Sequence, residues 1–187
     1  LVEENIPELE SKCDLVENTN TLHEISSFYG RPNRDLNERV DVELGKEYVK
    51  YVLTKLRRLV KPGGTLLTYD SVEVPQEKAD MWVKIRLRPD MMARFDIFVK
   101  EFLPREIEYR KISDSIVELK LKDLLRFTCE YRYIGTSAWP IERQESFQYY
   151  TAQELKEVLV ELGFPEELIE MESFTPQRQI DCYKKDI

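Results

Sequence analysis

Glycine is scarce in this chain of 187 residues, and its spacing limits which ligands the chain can bind. The six glycines stand at positions 30, 45, 63, 64, 135 and 163, and no two of them form a G-x-G pair. Glycine-rich loops that hold a nucleotide need such close spacing, because the backbone must approach the ligand without a Cβ atom. The sequence therefore contains no glycine-rich nucleotide loop.

The chain also lacks the signals of several other protein classes. Its three cysteines, Cys13, Cys129 and Cys182, are far apart and form no C-x-x-C pair, which argues against a zinc site. Free thiols in a reducing compartment are the better interpretation, so we expect a cytoplasmic location. No run of about 18 apolar residues is present, so no membrane span is predicted. The first residues show no signal-peptide pattern and no initiator Met, so we expect the chain to begin part-way through a longer protein.

The net charge of −8 argues against nucleic acid as an obligatory partner, since phosphate binding needs a basic face. The charge is uneven, because 12 Lys and Arg stand against 9 Asp and Glu between Met81 and Ile134. That excess is compatible with an anionic ligand near this segment. The acidic total nevertheless favours a small molecule over nucleic acid as the ligand.

One helix–turn–strand unit is clear in the sequence. Apolar residues recur at helical spacing from Val42 to Val60, and basic residues in the last turn suit the negative end of a helix dipole. The Pro-Gly-Gly run at 62–64 ends this helix. Residues 65–69, TLLTY, then predict a short strand that is buried on both faces, as parallel strands are. Residues 12–19 predict another short strand.

The middle of the chain has a less regular pattern. Apolar residues at helical spacing predict helices with breaks at Pro89 and Pro104; these residues are Trp82, Ile85, Met92, Phe95, Val99 and Phe102. Residues 115–134 predict a helix that runs into a strand. We therefore expect a mainly helical segment from 75 to 140.

The C-terminal part has a sharper signal. Thr151 and Glu154 form a T-x-x-E capping box at the start of a helix that Gly163 closes. Two final strands are predicted to form a hairpin around Thr175-Pro176.

Three segments occur in the order found in the C-terminal half of class I S-adenosylmethionine-dependent methyltransferases. CDLVENTNTLHEIS resembles the fourth strand of that family and the loop that passes the methionine end of the donor. LRRLVKPGGTLLTYD resembles the following helix and fifth strand. FQYYTAQELKEVLVELGF, with the terminal strands, resembles the last helix and the closing hairpin. The resemblance covers about two-thirds of the chain and excludes most of 75–134.

The resemblance implies an α/β fold: a partial Rossmann-like methyltransferase sheet, built from the C-terminal strands and helices, with a mainly helical insertion. The methyltransferase-like core would comprise residues 1–74 and 141–187, and residues 75–140 would form an inserted lid that recognises the substrate. S-adenosylmethionine is the implied cofactor, although the family's glycine-rich loop belongs to an N-terminal half that this sequence does not contain. The strand at 14–18 would then have an open edge, so we expect a homodimer or the missing N-terminal half to pair there.

The resemblance places candidate residues where the first strand ends. His23 is the only histidine, and it would accept a proton as the methyl group is transferred; the alternative is a loop histidine that bonds to backbone. Asn18, Thr19 and Asn20 would contact the methionyl group of the donor; the alternative is that they only form an Asx-type turn.

Candidates for the acceptor site come from the second strand and the insertion. Tyr69 and Asp70 end the strand on the side where open α/β sheets bind ligands; the alternative is that Asp70 caps the segment that follows it. Tyr133 and Trp139 are the aromatic candidates for the acceptor pocket, while we expect the other aromatic residues nearby to form the core of the insertion. No metal ligand is predicted.

The function implied is S-adenosylmethionine-dependent methyl transfer to a small-molecule acceptor. The alternative is a non-catalytic methyltransferase-like module that lacks the donor-binding half and serves in binding or assembly.

Overall fold

The computed structural model describes residues 6–147, 149–175 and 177–186 and has a mixed α/β fold. The first half consists of α1 (Ile6–Leu9), β1 (Cys13–Thr19), α2 (Leu22–Tyr29), α3 (Val42–Leu59) and β2 (Val60–Tyr69). The middle consists of α4 (Gln76–Ala79), β3 (Trp82–Arg86), α5 (Pro89–Glu101), β4 (Tyr109–Ser113), β5 (Ile116–Lys120) and α6 (Leu121–Glu130). The last part consists of α7 (Trp139–Glu142), α8 (Ala152–Glu161), a 3₁₀ turn (Glu166–Leu168) and α9 (Gln177–Asp186).

The strands β1 and β2 form a parallel pair, as the sequence predicts for a helix crossover between them. Leu15 lies opposite Thr65 and Thr19 opposite Tyr69, so both strands end at the same edge. The Pro-Gly-Gly run forms an irregularity in this pairing, where Gly63 has a φ of +77° that only glycine adopts readily. The predicted helix and both predicted strands are thus confirmed.

The prediction that β2 is buried on both faces is wrong. Its residues alternate between half-buried and exposed, and Leu67 and Tyr69 are 49% and 47% exposed. Leu15 of β1 is also exposed, at 55%. In the part of the chain that is described, β1 pairs with β2 alone, so its other edge is open. The uncovered face and open edge follow from the small size of the sheet.

The helices α2 and α3 cover the other face of this strand pair. Asp41 caps α3 by accepting hydrogen bonds from the backbone of Glu43 and Leu44. Gly45 allows α2 and α3 to approach closely, because a Cβ there would lie 2.6 Å from Oγ of Ser26. The core between these elements and α8 is formed by Leu22, Val49, Leu53, Tyr149, Tyr150, Leu155 and Val158.

The segment from 75 to 140 differs from the mainly helical prediction, because it contains a three-stranded antiparallel sheet in the order β3-β5-β4. Trp82 and Ile85 belong to β3 rather than to a helix, since V-x-I alternation fits a half-buried strand. In residues 115–134 the strand β5 comes first and the helix α6 second, the reverse of the predicted order. The helix predicted after Pro89 is confirmed as α5, and it packs with α6 on this sheet around Phe95, Phe98, Val117, Leu119 and Phe127.

The predicted capping box is present at the start of α8. Oγ1 of Thr151 accepts from the backbone of Glu154 at 3.1 Å, and Oε2 of Glu154 accepts from the backbone of Thr151 at 2.7 Å. The predicted C-terminal hairpin is wrong, since 169–175 has no strand and 177–186 is the helix α9. Gln, Arg and Lys favour a helix there, and Ile180 is the only β-branched residue in α9. Pro176, at the predicted turn, lies outside the described residues.

Candidate functional site

His23 and Asp70 meet where the two parallel strands end. His23 lies in the first turn of α2, four residues after the end of β1, and Asp70 directly follows β2. Nδ1 of His23 lies 2.7 Å from Oδ1 of Asp70, and both side chains are at least 95% buried. Because parallel strands bring their carboxyl ends to one edge, residues 47 positions apart in the sequence become neighbours.

The hydrogen bonds of Asp70 determine the tautomer of His23. Oδ2 of Asp70 accepts from the backbone N–H groups of Leu22 at 2.8 Å and His23 at 3.2 Å, and Oδ1 accepts from that of Ser71 at 2.7 Å. A carboxylate used in this way acts as an acceptor, so Nδ1 of His23 carries a proton and donates it to Oδ1. In the neutral imidazole, Nε2 is then free to accept a proton.

The surroundings of His23 favour its charged form. Burial lowers the pKa of His23, but the hydrogen bond to Asp70 and the charges of Asp70, Glu145 and Glu24 together raise it above its ordinary value. Nε2 lies 3.9 Å from Oε2 of Glu145, and the ring stacks on Phe147 with centroids 4.5 Å apart. The imidazole is therefore held on one side by Asp70, on one face by Phe147, and directed towards Glu145.

Two carboxyl groups, those of Glu142 and Glu145, lie near this imidazole, and a third, that of Glu130, lies near these two. Burial raises the pKa of Glu130 to about 9, and the charges of Glu142 and Glu145 contribute to that rise. Burial also raises the pKa of Glu142 and of Glu145, while the nearby His23 opposes the change in both. Oε2 of Glu130 and Oε2 of Glu142 are buried and have no hydrogen-bond partner among the described residues. We call Glu130, Glu142 and Glu145 the carboxyl cluster.

An open groove of about 460 Å³ runs along α2 and reaches the carboxyl cluster through Glu145. The groove is lined by Glu24, Ile25, Ser27, Phe28, Tyr29, Arg31, Leu36, Ile141, Gln144 and Glu145. Its volume lies within the range usual for small-molecule sites, about 300–1,000 Å³. Arg31 is 1% exposed and donates to three backbone carbonyls: to Glu38 and Gln144 at 2.7 Å each, and to Ser27.

The end of β1 carries the three residues predicted to contact a donor. Oδ1 of Asn18 is buried without a hydrogen-bond partner among the described residues, and so is Oγ1 of Thr68, its neighbour across the strand pair. Oγ1 of Thr19 donates to Oε1 of Glu17 at 3.2 Å. Asn20 has a φ of +50°, which Asn tolerates in the tight turn between β1 and α2. Asn18 is therefore the one of the three that offers a buried acceptor.

The other predicted site residues are distributed differently. Tyr69 is exposed at the end of β2, with its ring 6.5 Å from that of Phe174. Tyr133 packs on the core of the insertion, and the charges of Glu142 and Glu130 contribute to its raised pKa, after burial. Trp139 is 6% exposed within that core, where Nε1 donates to Glu101 at 2.8 Å. The structure thus brings together His23, Asp70 and, through the carboxyl cluster, Tyr133.

The sequence analysis did not identify the carboxyl cluster. Glu142 and Glu145 stand three residues apart in ERQES, where they look like ordinary surface charges, and Glu130 lies 12 positions earlier than Glu142. The one available signal was Glu130 on the apolar side of α6, close to Phe127 and Tyr131. A carboxyl group on that side is unusual.

No group of three or more His, Cys, Asp or Glu side chains within the described residues is arranged to hold a metal ion. Nor does the described part of the chain contain a helix of the length and apolar character that a membrane crossing needs. Comparisons with protein families, with curated proteins and with solved structures found no significant match to this chain.

Proposed function

We propose that this chain is the C-terminal portion of an S-adenosylmethionine-dependent methyltransferase that acts on a small-molecule acceptor. The observation that supports it most is the contact between His23 and Asp70 at the carboxyl ends of two parallel strands. Ligands of open α/β sheets bind at this edge. A partial Rossmann-like sheet in this chain is part of the same proposal.

The residues present fit one end of the donor. Asn18 would hold the methionyl ammonium group through Oδ1, which is buried and lacks a partner among the described residues. For the ribose and adenine, this sequence has no G-x-G loop, so those parts need residues from elsewhere. S-adenosylmethionine, when bound, supplies a methyl group on an already activated sulfonium. The open edge of β1 is where a second copy or an N-terminal half would complete the site.

His23 and Asp70 have complementary roles in this reaction. Asp70 fixes the ring by accepting from Nδ1, so that Nε2 is the atom available to take a proton from the acceptor. Alignment of the acceptor with the methyl group supplies much of the rate, and the groove beside Glu145 provides walls for that alignment. Three free cysteines agree with a reducing, cytoplasmic location, which belongs to this proposal.

A non-catalytic module is the second candidate function, because one observation favours it. His23 is only 4% exposed, with Asp70 on one side and Phe147 stacked on the ring. Such a histidine can stabilise the entry to α2 without chemistry. On this interpretation the chain would bind or assemble through the open edge of β1.

Calorimetric titration of S-adenosylhomocysteine into the 187-residue chain distinguishes the two. Saturable binding that Asn18→Ala weakens about tenfold would support the methyltransferase, since one charge-assisted hydrogen bond is lost. Glu77→Gln is the matched control, because Glu77 is exposed in α4. No heat of binding, to the chain alone or mixed with an N-terminal half, would overturn the methyltransferase proposal. His23→Asn keeps a donor for Asp70 and removes Nε2, so it tests the proton acceptor separately from the fold.

A further inference from the structure

Two carboxyl oxygens without partners lie in the carboxyl cluster next to the groove. Glu130 is 1% exposed, and its Oε2 and that of Glu142 lack any hydrogen-bond partner among the described residues. Buried polar atoms are nearly always paired, so such atoms call for a donor from outside the chain or from water. Ionised carboxylates such as Glu145 accept hydrogen bonds, and a positively charged donor forms the strongest of these, whereas Glu130 keeps its proton at neutral pH and adds no charge to the cluster.

The charges that the groove leaves available are negative. Glu24 and Glu145 line it, and Glu145 also faces Nε2 of His23 at 3.9 Å. Arg31 lines it too, but each of its three side-chain nitrogens donates to a backbone carbonyl. Carbonyl oxygens do not cancel the charge of Arg31, but at 1% exposure its guanidinium is shielded from a ligand, so the groove suits a cation better than an anion.

The remaining wall of the groove is apolar. Phe28, Leu36 and Ile141 are 42%, 37% and 64% exposed, which leaves apolar surface open to solvent at the groove. A ligand with a cationic end and an apolar body would cover these side chains while its charge meets Glu145. The groove thus has one polar end and one apolar side, as a site for an amine requires.

We propose that this groove binds an amine in its ammonium form and that the acceptor of the proposed methyl transfer is such an amine. The second statement rests on the proposed function, and the first does not. In the transfer, one proton of the ammonium passes by way of Glu145, which lines the groove and lies 3.9 Å from Nε2 of His23, to that nitrogen and frees the lone pair of the amine. A bond then forms between the nitrogen and the methyl carbon as the bond from that carbon to sulfur breaks, and its electron pair stays on the sulfur.

Three probes of similar size test the binding without S-adenosylmethionine: benzylamine, benzyl alcohol and benzoate. His23 is the only histidine, so its Cε1 proton resonance reports on the site without assignment. Benzylamine is expected to bind about tenfold more tightly than benzyl alcohol, and benzoate more weakly than both. Bound ammonium should also lower the pKa of His23, because a nearby like charge disfavours imidazolium. The charged groups that act on this ring and stay constant across the probes are Asp70, Glu24, Glu142 and Glu145.

The variants Glu145→Gln and Glu77→Gln locate the binding. Glu145→Gln should weaken benzylamine about tenfold, whereas Glu77→Gln, an exposed change in α4, should leave it unchanged. Equal affinity for the three probes, or no response of His23, would overturn the amine site. Those probes need no variant, so a variant that fails to fold cannot hide the answer. If the chain binds S-adenosylhomocysteine but shows no preference for the amine, only the amine acceptor is refuted. If it prefers the amine but does not bind S-adenosylhomocysteine, only the methyltransferase proposal is refuted.

Discussion

Replacing Glu130 with Gln should stabilise the protein at neutral pH. Glu130 is 1% exposed, and burial together with the charges of Glu142 and Glu145 raises its pKa to about 9 from an ordinary 4.5. The folded chain therefore keeps this proton up to about pH 9, whereas the unfolded chain releases it near pH 4.5. Because the folded state binds more protons between these values, this group makes stability fall as pH rises through that window.

The size of the effect follows from the pKa difference. Each pH unit between the two pKa values is worth about 1.4 kcal/mol. Between pH 5 and pH 8, Glu130 should therefore lower the free energy of unfolding by up to about 4 kcal/mol, a large part of the usual 5–15 kcal/mol. Gln cannot ionise, and it carries no charge, as protonated Glu130 carries none. The electrostatic environment of Glu142 and Glu145 is therefore the same in the natural chain and in Glu130→Gln below pH 9.

Urea unfolding followed by the fluorescence of Trp82 and Trp139 measures this difference. The free-energy gap between Glu130→Gln and the natural chain should widen steadily from pH 5 to pH 8, and Glu77→Gln should show no such trend. A gap that stays constant over this range would refute the reasoning. It would mean that Glu130 ionises in the folded state as readily as in water and that its carboxyl group has a partner.

The remaining predictions concern packing, capping and the imidazole. Gly45→Ala should destabilise the fold by about 1–3 kcal/mol in thermal or urea unfolding, because its Cβ would lie 2.6 Å from Oγ of Ser26; a neutral result would mean that α2 and α3 are farther apart. Thr151→Ala should cost about 1 kcal/mol of unfolding free energy by removing the acceptor for the backbone of Glu154, and an unchanged midpoint would contradict that cap. Proton NMR should give His23 a pKa above 6.5; the stability from its ion pair is then fully present below pH 6.5 and is lost as pH rises through the raised value. A measured pKa below 6.5 would mean that burial outweighs its carboxylate neighbours.

Local chemistry made part of the fold predictable from the sequence. The helix at Val42–Leu59 and the capping box at Thr151 depend on residues close together in the chain, and both are present, whereas the Pro-Gly-Gly run predicted to stop the helix lies inside β2, beyond the helix end. The predicted C-terminal hairpin is wrong because the helix preference of Gln, Arg and Lys in α9 outweighs the turn preference around Thr175-Pro176. The predicted order of helix and strand in residues 115–134 is wrong, because IVELK and LLRFTCE have similar apolar content and the spacing of their apolar residues does not separate strand from helix.

The site was predictable only in part, for a related reason. His23 and Asp70 were identified because each follows a recognisable strand, and parallel pairing brings strand ends together. Glu130 lies in α6, Glu142 ends α7 and Glu145 follows it, so only the tertiary fold brings their charges together, which no local pattern encodes.

Asp70 caps α2, which precedes it in the chain, rather than the segment that follows it. Its Oδ2 accepts from the first backbone N–H groups of α2, at Leu22 and His23, and its Oδ1 accepts from Nδ1 of the His23 ring. The contact that satisfies the helix N-terminus also orients the imidazole and fixes its tautomer. Asp70→Asn should therefore disturb the tautomer and the stability of α2 together. His23→Asn should leave the capping bonds in place, so only that variant separates chemistry at Nε2 from the fold.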